Sequence, residues 1–149
     1  MSAIAYFSDI PPAPPLLDHA AVEQARLVRI VRDHLATTEP SITYEGLASG
    51  RGSSQEAARQ WVKRHRAKGE LFTIDYAGNT LIPLFQLDEA FGINEHAAAA
   101  TARLTAAGMN GWAIWQWYTA INPWIEARPV DVLGDTSLID QAIEGLLGA

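Results

Sequence analysis

The stretch from Gly50 to Lys68 limits what this chain can become more than any other part of it. Six of the eleven Lys and Arg residues fall between Arg51 and Lys68, where Glu56 is the only acid. The segment therefore carries +5 in a chain of net charge −6, and the other residues together carry −11. Such polarity gives one face that attracts phosphate and others that repel it. Gly50, Arg51 and Gly52 predict a tight turn, because glycine tolerates the left-handed backbone that a turn can demand. Ser53 and Glu56 then stand at capping-box spacing and start a helix. Ala57, Ala58, Trp61 and Val62 form its inward stripe, while Arg59, Lys63 and Arg66 share another face. A short helix over Ser41–Ser49 precedes the turn, with Ile42, Tyr44, Leu47 and Ala48 as its buried groups.

Beyond Gly69 the pattern changes from helical to extended. Leu71, Phe72, Ile74 and Tyr76 alternate as a strand, Ala77-Gly78-Asn79 makes a turn, and Thr80–Phe85 returns as a second strand. Helix, turn, basic helix and hairpin in that order predict a winged helix-turn-helix. Upstream, Pro11, Pro12, Pro14 and Pro15 favour an extended arm, either a connector or a proline-rich ligand. Asp18 can cap a helix running to Thr37, with Leu27, Ile30, Val31 and Leu35 on one face. Glu39-Pro40 stops it.

After Gln86 the sequence is acidic and helical. Asn94–Ala107 is alanine-rich and closed by Gly108, and Asn110–Ile121 holds Trp112, Trp115 and Trp117. Asn122-Pro123 breaks that helix. Pro129 begins a short helix through Leu133. Thr136 or Ser137 starts a last helix striped by Leu138, Ile139, Ile143, Leu146 and Leu147. The expected fold class is mainly α with a small β-hairpin: a winged helix-turn-helix-like lobe followed by a small helical lobe. The expected divisions are an arm over 1–17, a DNA-binding lobe over 18–88 and an interaction lobe over 89–149.

A helix presented across a sharp turn suits the major groove of double-stranded DNA. Ser53, Ser54 and Gln55 lie at its start, where free amides also favour phosphate. Gln55 or Arg59 has the donor geometry for a bidentate base contact, and Gln60 is a further candidate. Lys63, Arg64, Arg66 and Lys68 suit phosphate, as does Arg51 in the turn. Trp61 can be read as a stacking platform, but its place in the apolar stripe favours a core anchor.

Catalytic signatures are missing. With no cysteine in the chain, disulfides, thiolate zinc sites and cysteine nucleophiles are excluded. The four histidines, His19, His34, His65 and His96, have no helical metal-motif spacing. Asp88 and Glu89 are neighbours that point apart. Gly50–Ser54 lacks the Lys-Ser/Thr ending and preceding strand of a phosphate-binding loop. No enzyme, metal site or cofactor is expected. No apolar run approaches the ~20 residues of a membrane span, and Met1–Ile10 lacks the pattern of a secretory leader. A cytoplasmic location is expected, and cysteine-free composition suits that reducing compartment.

Trp112, Trp115, Trp117 and Trp124 crowd thirteen positions, either as core or as interface anchors. The order Trp117, Asn122-Pro123, Arg128-Pro129-Val130-Asp131-Val132-Leu133 and a final amphipathic helix resembles the toxin-binding domain of Xre/MbcA/ParS-type antitoxins. The resemblance covers about forty residues strictly, and about sixty with the preceding helix. Where that family often carries glycines before the Arg-Pro step, this chain has Glu126-Ala127. The resemblance implies neutralisation of a RES-domain toxin, an enzyme acting on NAD, together with binding to the chain's own operator. It also implies that Trp124, Arg128, Asp131 and the terminal Gly148 and Ala149 contact the partner. That family's DNA-binding lobe is commonly all-helical, whereas a hairpin follows the basic helix here. A homodimer would double the DNA contacts and match a palindromic site. The competing readings are a stand-alone DNA-binding regulator or accessory protein, and an adaptor whose basic helix docks an acidic protein surface.

Overall fold

A computed structural model describes residues 19–148. The proline-rich arm, the Asp18 cap and Ala149 lie outside the described residues. The chain divides into two units, Met1–Leu35 and Ala36–Ala149. The described residues are mainly helical, with a small antiparallel sheet, and have a winged helix-turn-helix-like architecture.

Helix α1 spans His19–Thr38. Its apolar stripe departs from expectation: Leu35 is buried, but Leu27, Ile30 and Val31 are 51%, 53% and 41% exposed. Helical periodicity records which residues share a face, not whether anything covers it. Among the described residues, little does.

Ser41–Ile42 is not the start of the second helix but a short strand, β1. Thr43 then caps α2, Tyr44–Arg51, its hydroxyl accepting from Gly46 N at 3.1 Å. The turn is correspondingly displaced. Gly50 and Arg51 are helical, and the left-handed residue is Gly52, with φ 67°. Ser53 N closes the helix end on Ala48 O at 2.9 Å. The next helix, α3, spans Gln55–Ala67 and is capped by Ser54, whose hydroxyl accepts from Ala57 N at 3.1 Å. The capping box expected from Ser53 and Glu56 does not form, because Glu56 instead accepts from Gln60 Nε2 at 2.9 Å. Ala58 and Val62 are fully buried, Trp61 half so, and Ala57 is exposed, contrary to the expected stripe.

Strand β2, Ile74–Tyr76, pairs with β3, Asn79–Pro83. Ala77 and Gly78 connect them with φ of 50° and 81°, the two positive values of a type I′ turn that matches strand twist. Asn79 therefore belongs to the strand. Beyond Pro83 the chain enters a 3-10 turn, Leu84–Gln86, so the second strand ends before Phe85. Strand β1 adds to the other side of β3, giving the order β1-β3-β2. The hairpin is thus part of a three-stranded sheet. Leu47, Ala48, Ala58, Val62, Leu71 and Ile82 fill the core beneath it.

Three α-helices follow, α4, Glu95–Ala106, α5, Gly111–Thr119, and α6, Thr136–Leu147, and the short helix expected from Pro129 is a 3-10 turn, Pro129–Val132. Asn94, Asn110 and Asp135 cap the α-helices through side-chain oxygens, and the last helix starts at Thr136 as expected. Helix α5 stops short of Ile121, which is 68% exposed. The buried alanines 97, 98 and 100 let neighbouring backbones approach α4 closely. Trp115 and Tyr118 are fully buried. Burial pushes the Tyr118 hydroxyl well above its usual pKa, with the Thr101 hydrogen bond at 2.8 Å opposing that rise. It also donates to Ala97 O at 3.2 Å.

Residues 36–88 and 89–149, on either side of the expected boundary, fall in one compact unit, whereas the start of the expected DNA-binding lobe, up to Leu35, falls in the other. The Phe72 and Phe85 rings both pack on Tyr118, at 6.3 and 4.5 Å between centroids. Gln86, 0% exposed, ties the segment before β2 to the 3-10 turn: its amide accepts from Phe72 N at 2.9 Å and donates to Phe72 O at 2.8 Å.

Asn122 organises the break after α5. Its backbone N–H reaches Ala127 O at 2.9 Å, its carbonyl accepts from Glu126 N at 2.8 Å, and its side chain accepts from Trp124 N at 3.0 Å. Glu126 has φ 53°, so the chain keeps a glycine-type conformation where it has no glycine. A left-handed L-residue is strained by roughly 1–2 kcal/mol, partly offset by the larger unfolded-state entropy of glycine. Glu126→Gly is therefore expected to stabilise the protein by about 0.5–1 kcal/mol, read as a higher urea midpoint at unchanged m-value. A lower midpoint would contradict this reading of the loop.

Candidate nucleic-acid interface and partner surface

Helical geometry sorts the basic residues of α3. At 3.6 residues per turn, Gln55, Arg59, Lys63 and Arg66 fall within an arc of roughly 80° beside the buried Ala58–Val62 face. All four are exposed. Arg64 lies roughly 100° round the helix from Lys63, with Gln60 between them and held by Glu56. The single set of phosphate-contacting side chains expected from sequence is thus split between two faces. Lys68 ends the helix as its exposed C-cap.

The wing stands beside the first of these faces. Gln55, Arg59, Tyr44, Gly78, Asn79 and Thr80 border a cleft of about 310 Å³ between the start of α3 and the hairpin turn. The Arg59 guanidinium lies over the Tyr44 ring, 5.2 Å from its centroid, which limits its rotamers without consuming its hydrogen-bond donors. Tyr44 was legible only as a core residue, because no local pattern links positions fifteen apart. Ser53 Oγ donates to Ser54 O at 3.1 Å, and the Ser54 hydroxyl is engaged as the helix cap.

Arg51 is placed differently from the other candidates. Its guanidinium stacks over Trp61 at 4.3 Å, and Nη1 donates to Phe91 O at 2.6 Å. Trp61 in turn packs against His65 at 4.6 Å. Half-buried, Trp61 also packs against the core cluster of Leu47, Ala58 and Val62, as a core anchor at its edge.

The candidate partner residues do not form one contiguous set. Arg128 Nη1 pairs with Glu39 at 3.0 Å, and its Nε stands 3.2 Å from Asp131. The second contact is an ion pair without hydrogen-bond geometry, leaving Nε buried and lacking an acceptor. Together with Pro40, Leu84 and Trp115, these three charged residues border a cleft of about 330 Å³. Trp124 lies elsewhere, 46% exposed over Gly145, where an added Cβ would collide with the indole. Its carbonyl accepts from Gln141 Nε2 at 3.1 Å. Gly148 is the exposed C-cap of α6. Of the four clustered indoles, Trp115 is core, Trp112 and Trp117 are half-buried, and Trp124 faces outward.

No described helix is long and apolar enough to cross a membrane. No family model matches the chain, and no curated protein matches it. A solved structure shares its fold. The NMR structure of Rv2175c superposes with a TM-score of 0.60 at 18% identity, over 73% of this chain and 82% of that one. At that identity the likeness concerns architecture alone.

Proposed function

We propose that this protein is an antitoxin-like DNA-binding regulator of the cytoplasm, which reads its own operator through α3 and neutralises a RES-type toxin through its C-terminal helices. The observation that carries the DNA half is the exposed Gln55–Arg59–Lys63–Arg66 edge, whose first two residues border the wing cleft. A duplex contributes one phosphate charge per ~1.7 Å, so an edge of aligned cations gains affinity by releasing condensed counterions. Gel-shift titration with salt tests it: log affinity should fall linearly with log salt at a slope of about −0.9 per phosphate contacted. Affinity indifferent to salt, or no binding in dilute buffer, would refute it. The toxin half rests on the resemblance from Trp117 to the last helix. Co-expression with a RES-type toxin should restore growth and yield a complex, and unrelieved toxicity without a complex refutes it.

A specific observation favours a second reading, a DNA-binding regulator without a toxin. Arg128 already engages both Glu39 and Asp131, so a partner must compete for these residues.

The proposed regulator acts as a homodimer. Leu27, Ile30 and Val31 offer an apolar stripe on α1, and the same helix carries Glu23 and Asp33 along with Arg26, Arg29 and Arg32. A second copy laid antiparallel covers this stripe through an isologous contact, the same patch meeting itself. Sedimentation should give a dimer mass, and Ile30→Glu a monomer mass; an unchanged mass in the variant excludes this seam.

A further inference from the structure

We propose that Arg51 is a positioning residue for duplex binding: it clamps the helix-turn-helix bend to the Asp88–Gly92 loop and contacts no phosphate itself. The inference rests on the DNA reading above. The loop is stitched from within. Asp88 Oδ1 accepts from Ala90 N at 2.9 Å and Gly92 N at 2.8 Å, while Asp88 N reaches Gly92 O at 2.9 Å. These bonds hold Phe91 at φ 59°, a left-handed conformation that an aromatic residue adopts only when its surroundings impose it.

Both sides of Phe91 meet the end of α2. Its ring lies flat against Gly50, where an added Cβ would come within 2.8 Å of three ring atoms. Its carbonyl accepts from Arg51 Nη1 at 2.6 Å. The same guanidinium covers the Trp61 indole in the middle of α3. One side chain therefore joins the last turn of α2, the body of α3 and the segment leading into α4. Between α2 and α3 lie Gly52, Ser53 and Ser54, all exposed. Their geometry sets the angle at which Gln55 and Arg59 are presented. An arginine so engaged has little freedom to follow a phosphate, and its contribution to binding is preorganisation of the bend.

Positioning and phosphate contact differ in their salt signatures. Removing a phosphate contact flattens the dependence of log affinity on log salt by about 0.9. Removing a positioning residue lowers affinity by the same factor at every salt concentration. The test compares the wild-type chain with Arg51→Met, Arg51→Lys and Lys63→Ala, titrating an operator duplex across salt. Methionine keeps the apolar cover over Trp61 and loses the donor. Arg51→Met should bind about tenfold more weakly with the wild-type slope, a loss ordinary for one charged hydrogen bond that orders a loop. Arg51→Lys, which retains a cation and a donor, should recover most of that loss. Lys63→Ala should flatten the slope. In the free protein, amide exchange at Gly52, Ser53 and Ser54 should quicken in Arg51→Met alone.

A flattened slope in Arg51→Met would make Arg51 a phosphate ligand and overturn the inference, as would unchanged affinity. Should the wild type bind no duplex, the DNA reading fails by itself. Amide exchange then still decides the clamp, which unchanged protection in Arg51→Met would refute.

Discussion

Arg59→Glu combined with Lys63→Glu is expected to weaken duplex binding by at least two orders of magnitude at moderate salt. Each reversal removes one favourable contact and installs a repulsive one. Both positions lie on the edge of α3 shared with Gln55 and Arg66. The single variants separate the roles. Lys63→Ala should weaken binding to every sequence alike and flatten the salt dependence by about 0.9. Gln55→Ala and Arg59→Ala should cost roughly 1–3 kcal/mol on the preferred operator and relax selectivity at particular base pairs. Arg59 is held over Tyr44 at the mouth of the wing cleft, so its head is already oriented before DNA arrives. Arg64→Ala is the control, because Arg64 lies roughly 100° round the helix from Lys63. Equal losses from Arg64→Ala and Lys63→Ala would show that the duplex does not meet the wing-side edge.

The second large effect concerns stability. Gln86→Leu should lower the unfolding free energy by about 2–4 kcal/mol, because it strands two buried backbone groups of Phe72 at roughly 1–3 kcal/mol each while returning some apolar burial. The Gln86 side chain bonds both the N–H and the carbonyl of Phe72, as a partner strand would. Chemical denaturation of the full chain measures it, and a loss below about 1 kcal/mol would mean that the segment around Phe72 finds other partners. The variant should also disturb the Phe72–Tyr118 and Phe85–Tyr118 contacts, which join the sheet side of the molecule to α5. Near-ultraviolet circular dichroism reports on that cluster separately.

Ala58 and Val62 turned inward as the apolar period of α3 required, and the cationic residues stayed outside. Asn94 and Asn110 capped helices at the expected breaks, since one side-chain oxygen suffices to accept the free amides there. The hairpin was legible for the same kind of reason: two extended runs flank Gly78, and a type I′ turn needs few residues. Shifts arose where two local solutions compete. Ser53 and Ser54 are both competent caps, and the closing bond from Ser53 N to Ala48 O left Ser54 to begin α3. Ser41–Ile42 has helical neighbours but pairs with Ile82–Pro83, a partner some forty residues away.

Local periodicity, capping chemistry and charge spacing thus determined by themselves that a capped basic helix would follow a bend and precede a hairpin. They act over three or four residues, within reach of a sequence pattern. Tertiary structure alone decided which cations remain available: Arg51 is drawn onto Trp61 and Phe91 and Arg128 onto Glu39 and Asp131, whereas Arg59 is oriented over Tyr44 with its donors unspent. It also decided that the α1 stripe stays largely exposed and that Gln86 is buried. The reason is physical. A long side chain's partner, like the cover on an apolar face, is set by whatever distant segment folds against it, and short-range spacing carries no record of that segment.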